Sequence, residues 1–383
     1  MTMPTRLPSA PPVLGGFTYV RPLGTGGFAD VFLFEQNLPR RSVAVKVLLK
    51  DIVDEGLLRM FNAEADVMAR LSAHPSILTV FEASISADGR PYLVMEYCPT
   101  SLTSRYRREQ IPVEEVLQIG IKIASALETA HRSGLLHRDI KPSNILVTTF
   151  GAPVLSDFGI AAAISGRTGA DEVFAMSVPW SAPEIVDERV PGSVAAEVWS
   201  LGATVYSLLA GHSPFERQGS GQNTREQLKA RIRRASYTPI GRDDVSPRLE
   251  RVLARAMSKD PGARHASAAE FAHDLQLVQH ELGHPHTPMD VAVDAWASAG
   301  TAIDFDDDRQ RGPVRPEVAH ASRRQRRTSA PPTRRAPDDG TVLAGAEPPP
   351  RAPRGAIVAA MIAATAVLVG IGAIVFTLLS GGG

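Results

Sequence analysis

The sequence predicts an α+β chain of two lobes, the first strand-rich and the second helical, followed by a linker and one membrane-spanning helix. Three observations carry that reading. Runs of β-branched and aromatic residues dominate up to Cys98, and apolar residues at helical spacing dominate after it. Residues 283–355 are rich in Pro, Arg, Ala and Asp and hold no sustained apolar period. From Ala356 to Leu379 there are 24 consecutive residues without a charge.

Taken in order, residues 1–16 lack the apolar run of a secretory leader and are expected to be a disordered N-terminus with no cleaved signal. Phe17–Leu33 and Ser42–Leu48 carry strand residues. Gly56–Leu71 is expected as an amphipathic helix, with Leu57, Leu58, Phe61, Ala65 and Met68 recurring at three and four. Ile77–Ala83 and Pro91–Tyr97 read as a strand pair around the Asp88-Gly89 turn. Helical stretches follow at Val113–Ser133, Ala195–Ala210, Arg225–Arg234, Arg248–Met257 and Ala268–Leu282, which bounds the folded domain at 17–282. Residues 356–379 as a helix would span about 36 Å, enough for a hydrocarbon core of ~30 Å. Arg351 and Arg354 lie just before that span, so the positive-inside rule puts the preceding chain in the cytoplasm and 380–383 outside.

Composition narrows the function. Of 383 residues, 44% are apolar and 21% charged, so a sizeable core is available. Lys+Arg and Asp+Glu are both 41, which excludes a net-basic chain built to coat nucleic acid. That balance hides an asymmetry, because residues 309–354 hold eleven arginines against four acids, the charge pattern of a solvated tether. The lone cysteine, Cys98, excludes an intrachain disulfide framework and a cysteine-based zinc site, and fits a reducing compartment.

Three motifs carry chemistry. Gly24-Thr25-Gly26-Gly27-Phe28-Ala29-Asp30-Val31 would let backbone N–H groups approach phosphates without Cβ obstruction. Alone, such a cluster is usually only a strand turn. A strand rather than a helix follows it, so it is not a dinucleotide fingerprint, and no Lys-Ser/Thr ends it, so it is not a Walker A loop. Lys46, in Val43-Ala44-Val45-Lys46, reads either as a solvated edge-strand lysine or as a cation aimed at phosphates and held by Glu64 of the next helix. The third motif is His137-Arg138-Asp139-Ile140-Lys141-Pro142-Ser143-Asn144, followed by Ser156-Asp157-Phe158-Gly159.

With that third motif the sequence resembles the protein kinases: Lys46, Glu64, Asp139, Asn144, Asp157 and Ala182-Pro183-Glu184 occur in the family's order. The resemblance covers Phe17 to about Leu282 and implies a bilobal kinase fold. It also implies ATP and Mg²⁺ as cofactors, with Mn²⁺ as an alternative. Phosphoryl transfer is governed by positioning and charge stabilisation. The resemblance therefore implies that Lys46, oriented by Glu64, holds the α/β-phosphates and that Gly24 through Ala29 cover them. Asp157 and Asn144 would be the metal ligands, Asp139 would orient and deprotonate the attacking hydroxyl, and Lys141 would balance the γ-phosphate. Adenine would sit at a hinge of Met95, Glu96 and Cys98, between Val31, Ala44 and Leu146. Val80, Met68, His137 and Phe158 would stack to couple the Glu64 helix to the catalytic loop.

HRDIKPSN resembles the Ser/Thr-specific group, with Ser177 where a threonine usually bonds the catalytic Asp and Lys. Arg264 matches the arginine that pairs with the glutamate of the APE motif, here Glu184. Three positions depart from the pattern. Ala29 replaces the third glycine, and Pro99-Thr100-Ser101 lacks the usual residues after the hinge. Glu197 replaces an aspartate that bonds the backbone of the HRD segment; being one methylene longer, it is expected to brace more loosely. Arg138 before Asp139 implies control by a phosphate on the activation loop, with Thr168 favoured and Asp171 and Glu172 as the competing carboxylates. The resulting expectation is a single-pass, membrane-anchored Ser/Thr kinase similar to the bacterial, eukaryotic-like (Hanks-type) kinases of actinobacteria. Its expected partners are protein substrates with Ser/Thr acceptors, the inner leaflet, and phosphothreonine-binding (FHA-like) proteins. Nucleic acid is not expected. Small residues at Ala359/Ala363 and Ala366/Gly370 permit a homodimer. The alternative is a non-catalytic kinase-fold membrane adaptor.

Overall fold

The computed structural model describes residues 6–27, 29–50, 53, 55–158, 177–217, 219 and 221–291. The expectations for Phe28, the loop from Gly159 to Met176 with Thr168, the linker beyond residue 291 and the span 356–379 lie outside the described residues, as does the side chain of Glu64.

The first lobe is an antiparallel sheet of β1 (Phe17–Thr25), β2 (Ala29–Asn37), β3 (Arg40–Leu48), β4 (Val80–Ile85) and β5 (Pro91–Glu96), in the order β1-β2-β3-β5-β4. The expected strand Phe17–Leu33 divides at the glycine cluster, where the chain reverses. Side chains alternate across a strand, so register decides which residues share a face. Val31 pairs with Lys46 and Lys46 with Leu93, while Leu33 pairs with Ala44 and Ala44 with Met95. These residues therefore share the face toward the second lobe. The opposite face collects Phe32, Phe34, Val43, Val45, Val47, Tyr92 and Val94 into a separate apolar cluster with Leu14. Helix α1 (Glu55–Leu71) buries Phe61, Ala65, Met68 and Leu71, the spacing of one helical face.

The second lobe is helical: α2 (Leu102–Tyr106), α3 (Val113–Arg132), α4 (Pro183–Val186), α5 (Val194–Ala210), α6 (Arg225–Arg234), α7 (Pro247–Ala256) and α8 (Ala268–Glu281). Ser193, Thr224, Ser246 and Ser267 cap α5 to α8 by accepting from backbone N–H groups. Gly202 lets α5 and α7 approach closely, since a Cβ there would lie 2.7 Å from the Ala256 Cβ. A small sheet of β6 (Thr100–Ser101), β7 (Ile145–Val147) and β8 (Pro153–Leu155) lies between the lobes. Leu78 N–H donates to Leu155 O and Leu155 N–H to Ser76 O, which ties this small sheet to the segment after α1.

Two boundaries differ from expectation. Residues 6–16 are not a loose end: Pro12 and Leu14 are buried, and Arg6 and Ser9 bond into β2. The packed chain also continues past 282. Thr287 N–H donates to Gln279 Oε1 at 3.1 Å, Gln279 Nε2 donates to Thr287 Oγ1 at 2.9 Å, and Lys122 pairs with Asp290 at 2.5 Å. Both segments are extended straps held by side-chain polar bonds and isolated apolar contacts, so they show no period of two or 3.6.

No helix among the described residues is long and apolar enough to cross a membrane.

Candidate active site

The catalytic loop follows α3 and enters β7 through a 3-10 turn at Pro142–Asn144. Asp139 N–H donates to His137 Nδ1 at 3.2 Å, so the other ring nitrogen of His137 carries the proton and donates to Ser156 O at 2.8 Å. That ring is buried and lies 4.6 Å, edge-on, from Phe158. Met68 and Phe158 are buried in one large apolar cluster against which Val80 packs, so the His137–Phe158 contact is the part of the expected stack that the structure displays. Ser156 N–H donates to Asn144 O at 2.9 Å, which fixes the segment with Asp157 against the loop with Asp139.

Polar groups converge on Asp139. Ser177 Oγ donates to Oδ1 at 2.7 Å, Lys141 Nζ lies 2.8 Å from Oδ2, and Asn144 Nδ2 donates to Oδ2 at 2.9 Å and to Asp139 O at 2.7 Å. Lys141 Nζ also donates to Ser177 Oγ at 2.9 Å. Oδ2 is thus saturated, whereas Oδ1 holds one donor and keeps a second acceptor position for an incoming hydroxyl. Across the cleft, Lys46 Nζ donates to Asp157 Oδ1 at 2.6 Å. The Lys46 charge, against the opposing effect of burial, holds the Asp157 carboxyl below the ordinary carboxylate value. Arg138 and Asp157 both adopt positive φ, 66° and 60°, a strained backbone for non-glycine residues of the kind that persists where surroundings over-determine it.

A largely enclosed Asp139 carboxylate, a lysine–aspartate pair facing it and a glycine-rich hairpin on the first-lobe sheet form one cleft. The protein kinase domain family matches residues 17–277. The chain belongs to the protein kinases. Over 281 residues it is 40% identical to the serine/threonine-protein kinase PknK of Mycobacterium tuberculosis, covering 73% of this chain and 25% of that one. It is 34% identical to PknF of Mycobacterium tuberculosis over 293 residues (73% and 59%) and 33% identical to PknB of Mycobacterium leprae over 283 residues (71% and 44%), both serine/threonine-protein kinases. The chain thus spans from a quarter to under two thirds of the length of these curated relatives. Its domain is a bacterial Hanks-type Ser/Thr kinase domain, a family whose reaction uses ATP and Mg²⁺.

The kinase cleft holds oxygen ligands of the type Mg²⁺ takes: the Asp157 carboxylate, and the Asn144 amide oxygen, which accepts from Ser143 Oγ at 3.3 Å while Asn144 Nδ2 donates to Asp139. No group of three or more His, Cys, Asp or Glu converges among the described residues. Asp157 and Asn144 would hold Mg²⁺, which would supply charge neutralisation on the transferring phosphoryl group. Val31, Ala44 and Met95 share the sheet face of Lys46, and Leu146 lies on β7; the kinase resemblance assigns these four to the adenine. Glu96 N–H donates to Thr79 O at 2.9 Å, fixing the hinge backbone. Burial, aided by Glu96, pushes the Cys98 thiol up to about 12, and Cys98 packs against the main apolar cluster. Gly24 and Thr25 end β1 and Ala29 opens β2, with Gly26 and Gly27 in the turn between them. Glu64 belongs to α1.

Glu197 corrects the expectation of a loose brace. Its Oε1 accepts Arg138 N–H at 2.6 Å and its Oε2 lies 2.6 Å from His131 Nε2, so the extra methylene is taken up by a second partner on α3. Nothing in the local sequence singles out His131. The Arg264–Glu184 pair forms as expected: Nη1 and Nη2 bind the two carboxylate oxygens at 2.6 and 2.9 Å, and Nε donates to Ser258 O at 2.8 Å. The residues that sequence reasoning missed are Arg6, Ser9 and Asp30, whose contacts join segments 20 or more positions apart.

Proposed function

We propose that this chain is a protein kinase that transfers the γ-phosphoryl group of ATP to Ser or Thr hydroxyls of proteins, itself included, at the cytoplasmic face of a membrane. The observation that carries the chemistry is the Ser177–Asp139–Lys141 ring, which leaves one acceptor position on Asp139 Oδ1 free. A substrate hydroxyl bonded there is oriented for attack and can pass its proton to Asp139, while Lys141 sits beside the same point to meet phosphoryl charge. Every side chain described in the cleft retains its catalytic group, which argues against the non-catalytic adaptor.

The membrane part of the proposal rests on sequence: the 24 uncharged residues Ala356–Leu379 with Arg351 and Arg354 before them. Phosphorylated threonines in the linker would then recruit phosphothreonine-binding proteins. Incubating the full chain with Mg-ATP and a basic acceptor protein, beside its Asp139→Asn variant, tests the activity. Phosphoserine and phosphothreonine that disappear in the variant are expected; equal labelling in both sinks the proposal. Fractionation tests the anchor: detergent but not carbonate should release the chain from membranes.

A further inference from the structure

The glycine-rich loop is tied from behind. Strand alternation turns Asp30 away from the nucleotide face on which its neighbours Ala29 and Val31 lie, yet the Asp30 side chain is 0% exposed. A buried carboxylate needs donors, and both come from residues 6–10. The Arg6 guanidinium pairs with Oδ1, and Ser9 N–H donates to Oδ2 at 2.8 Å. Burial pushes the Asp30 carboxyl up, but the hydrogen bonds from Ser9 and the Arg6 contact outweigh it and hold the group below its ordinary value.

Arg6 does more than satisfy Asp30. Its Nη2 also reaches Gly26 O at 3.4 Å, inside the loop, and Gly26 N–H donates to Ala29 O at 2.8 Å. One guanidinium therefore joins both arms of the hairpin. The buried Arg90 grips the same segment from the β5 side, donating to Ser9 Oγ at 3.2 Å and to Ala10 O at 2.9 Å. The loop needs such a tie, because glycines carry the largest backbone entropy. Packing does not supply it, since a Cβ added at Gly24 would meet nothing within 4 Å.

We propose that residues 6–10 are a positioning strap for the glycine-rich loop, in which Arg6, acting through Asp30 and the Gly26 carbonyl, holds the loop backbone in the form that covers the nucleotide phosphates. This rests on the phosphoryl-transfer reading above and adds Arg6 and Asp30 to it as positioning residues that touch no substrate.

The test uses the full chain, titrated with a fluorescent ADP analogue and Mg²⁺, with initial rates measured against ATP and against the protein acceptor. Arg6→Ala should raise the analogue Kd and the KM for ATP about three- to tenfold, the scale of a partly transmitted charged hydrogen bond, with kcat and acceptor KM within about twofold. Arg6→Lys should recover most of that loss, which a merely structural role would not predict. Asp30→Asn should resemble Arg6→Ala, and the double variant should be no worse than the weaker single, because both cut one tie. An unchanged Kd in Arg6→Ala overturns the strap, as do additive losses in the double variant. If Asp30→Asn fails to fold, the comparison of Arg6→Ala with Arg6→Lys decides alone. Absence of analogue binding in the unaltered chain removes the kinase reading, and the strap with it.

Discussion

The catalytic loop and the glycine-rich loop serve the two ends of one reaction and are built in opposite ways. Around Asp139, the side chains of Ser177, Lys141 and Asn144 and the backbone held by His137 and Glu197 form a closed, mostly buried polar ring. Around Gly26, the described contacts are one bond to Ala29 O and a guanidinium reaching in from Arg6. The first is preorganised, so its hydrogen bonds cost no rearrangement when charge develops. The second is tied at its base by Arg6. Damage to the ring should therefore appear in kcat, and damage to the hairpin in nucleotide affinity.

The largest effect expected on this contrast is at Asp139. Asp139→Asn keeps the shape and donates where the carboxylate accepted, so turnover should fall about 10²–10⁴-fold. Affinity for the fluorescent nucleotide should stay within about twofold. Lys46→Met, which removes a charge from the phosphate side, should also cost ~10²-fold or more in turnover. A variant of either kind that keeps more than about a tenth of the activity breaks the division between the two loops. The readouts are initial rates with saturating ATP and the nucleotide titration.

Ser177 sharpens it. The hydroxyl links Lys141 to Asp139, so Ser177→Ala leaves one donor of the lysine and one acceptor of the aspartate without a partner. Bonds to charged groups are worth about 1.5–3 kcal/mol, which corresponds to roughly a ten- to hundredfold loss in kcat. Ser177→Thr retains the hydroxyl and should remain within a few-fold of the unaltered rate. Equal rates for the alanine and threonine variants would show that the ring does not orient the base.

Legibility in the sequence follows the same line. The ring was readable because its members are residue types with few other uses, set at short spacings: Asp139, Lys141 and Asn144 lie within six positions. Helices α3 and α5 to α8 were readable from apolar period, with ends shifted by a residue or so. Strands β6 to β8, two or three residues each, are too short for a period to show. The straps at 6–16 and 283–291 were missed because their anchors, Arg6 on Asp30 and Asp290 on Lys122, are single polar contacts between distant segments. The tightness of Glu197 was missed for the same reason, since it depends on where α3 places His131.

A smaller loss is expected at that brace. Glu197→Asp shortens the side chain by about 1.5 Å, so it can no longer bond Arg138 N and His131 Nε2 together unless α5 moves. The catalytic loop is then held by one contact where there were two. We expect kcat to fall about two- to tenfold, with the nucleotide Kd unchanged. Unchanged kcat would mean that the positive-φ turn at Arg138 is secured by its neighbours without the glutamate.

The smallest effect concerns pH and lies outside both loops. His74, buried after α1 beside Ser76, Ser125, Lys122 and the backbone of Asp290, is held below its ordinary value of 6.5, first by burial. His265, against Phe271 with Asp274, Arg255 and Glu270 nearby, is also lowered, again chiefly by burial. Each is therefore neutral in the fold at pH values where the unfolded chain has taken up a proton. The unfolded state binds more protons, so stability rises with pH: the contribution is full above about 6.5 and is lost as pH falls below it. Each histidine can contribute at most ~1.4 kcal/mol per pH unit in that window. The aspartates held low, Asp157 and Asp30 among them, add their loss as pH drops through the ordinary value of 3.8, below the pH range in which the histidines act. Melting temperatures measured from pH 7.5 to 5.5 should fall with acid in the unaltered chain, and less steeply in His74→Gln and in His265→Gln. The slope is the readout, because either substitution can also lower the melting temperature at every pH. A slope that stays the same in both variants would mean these buried rings take up protons in the fold as readily as in the unfolded chain.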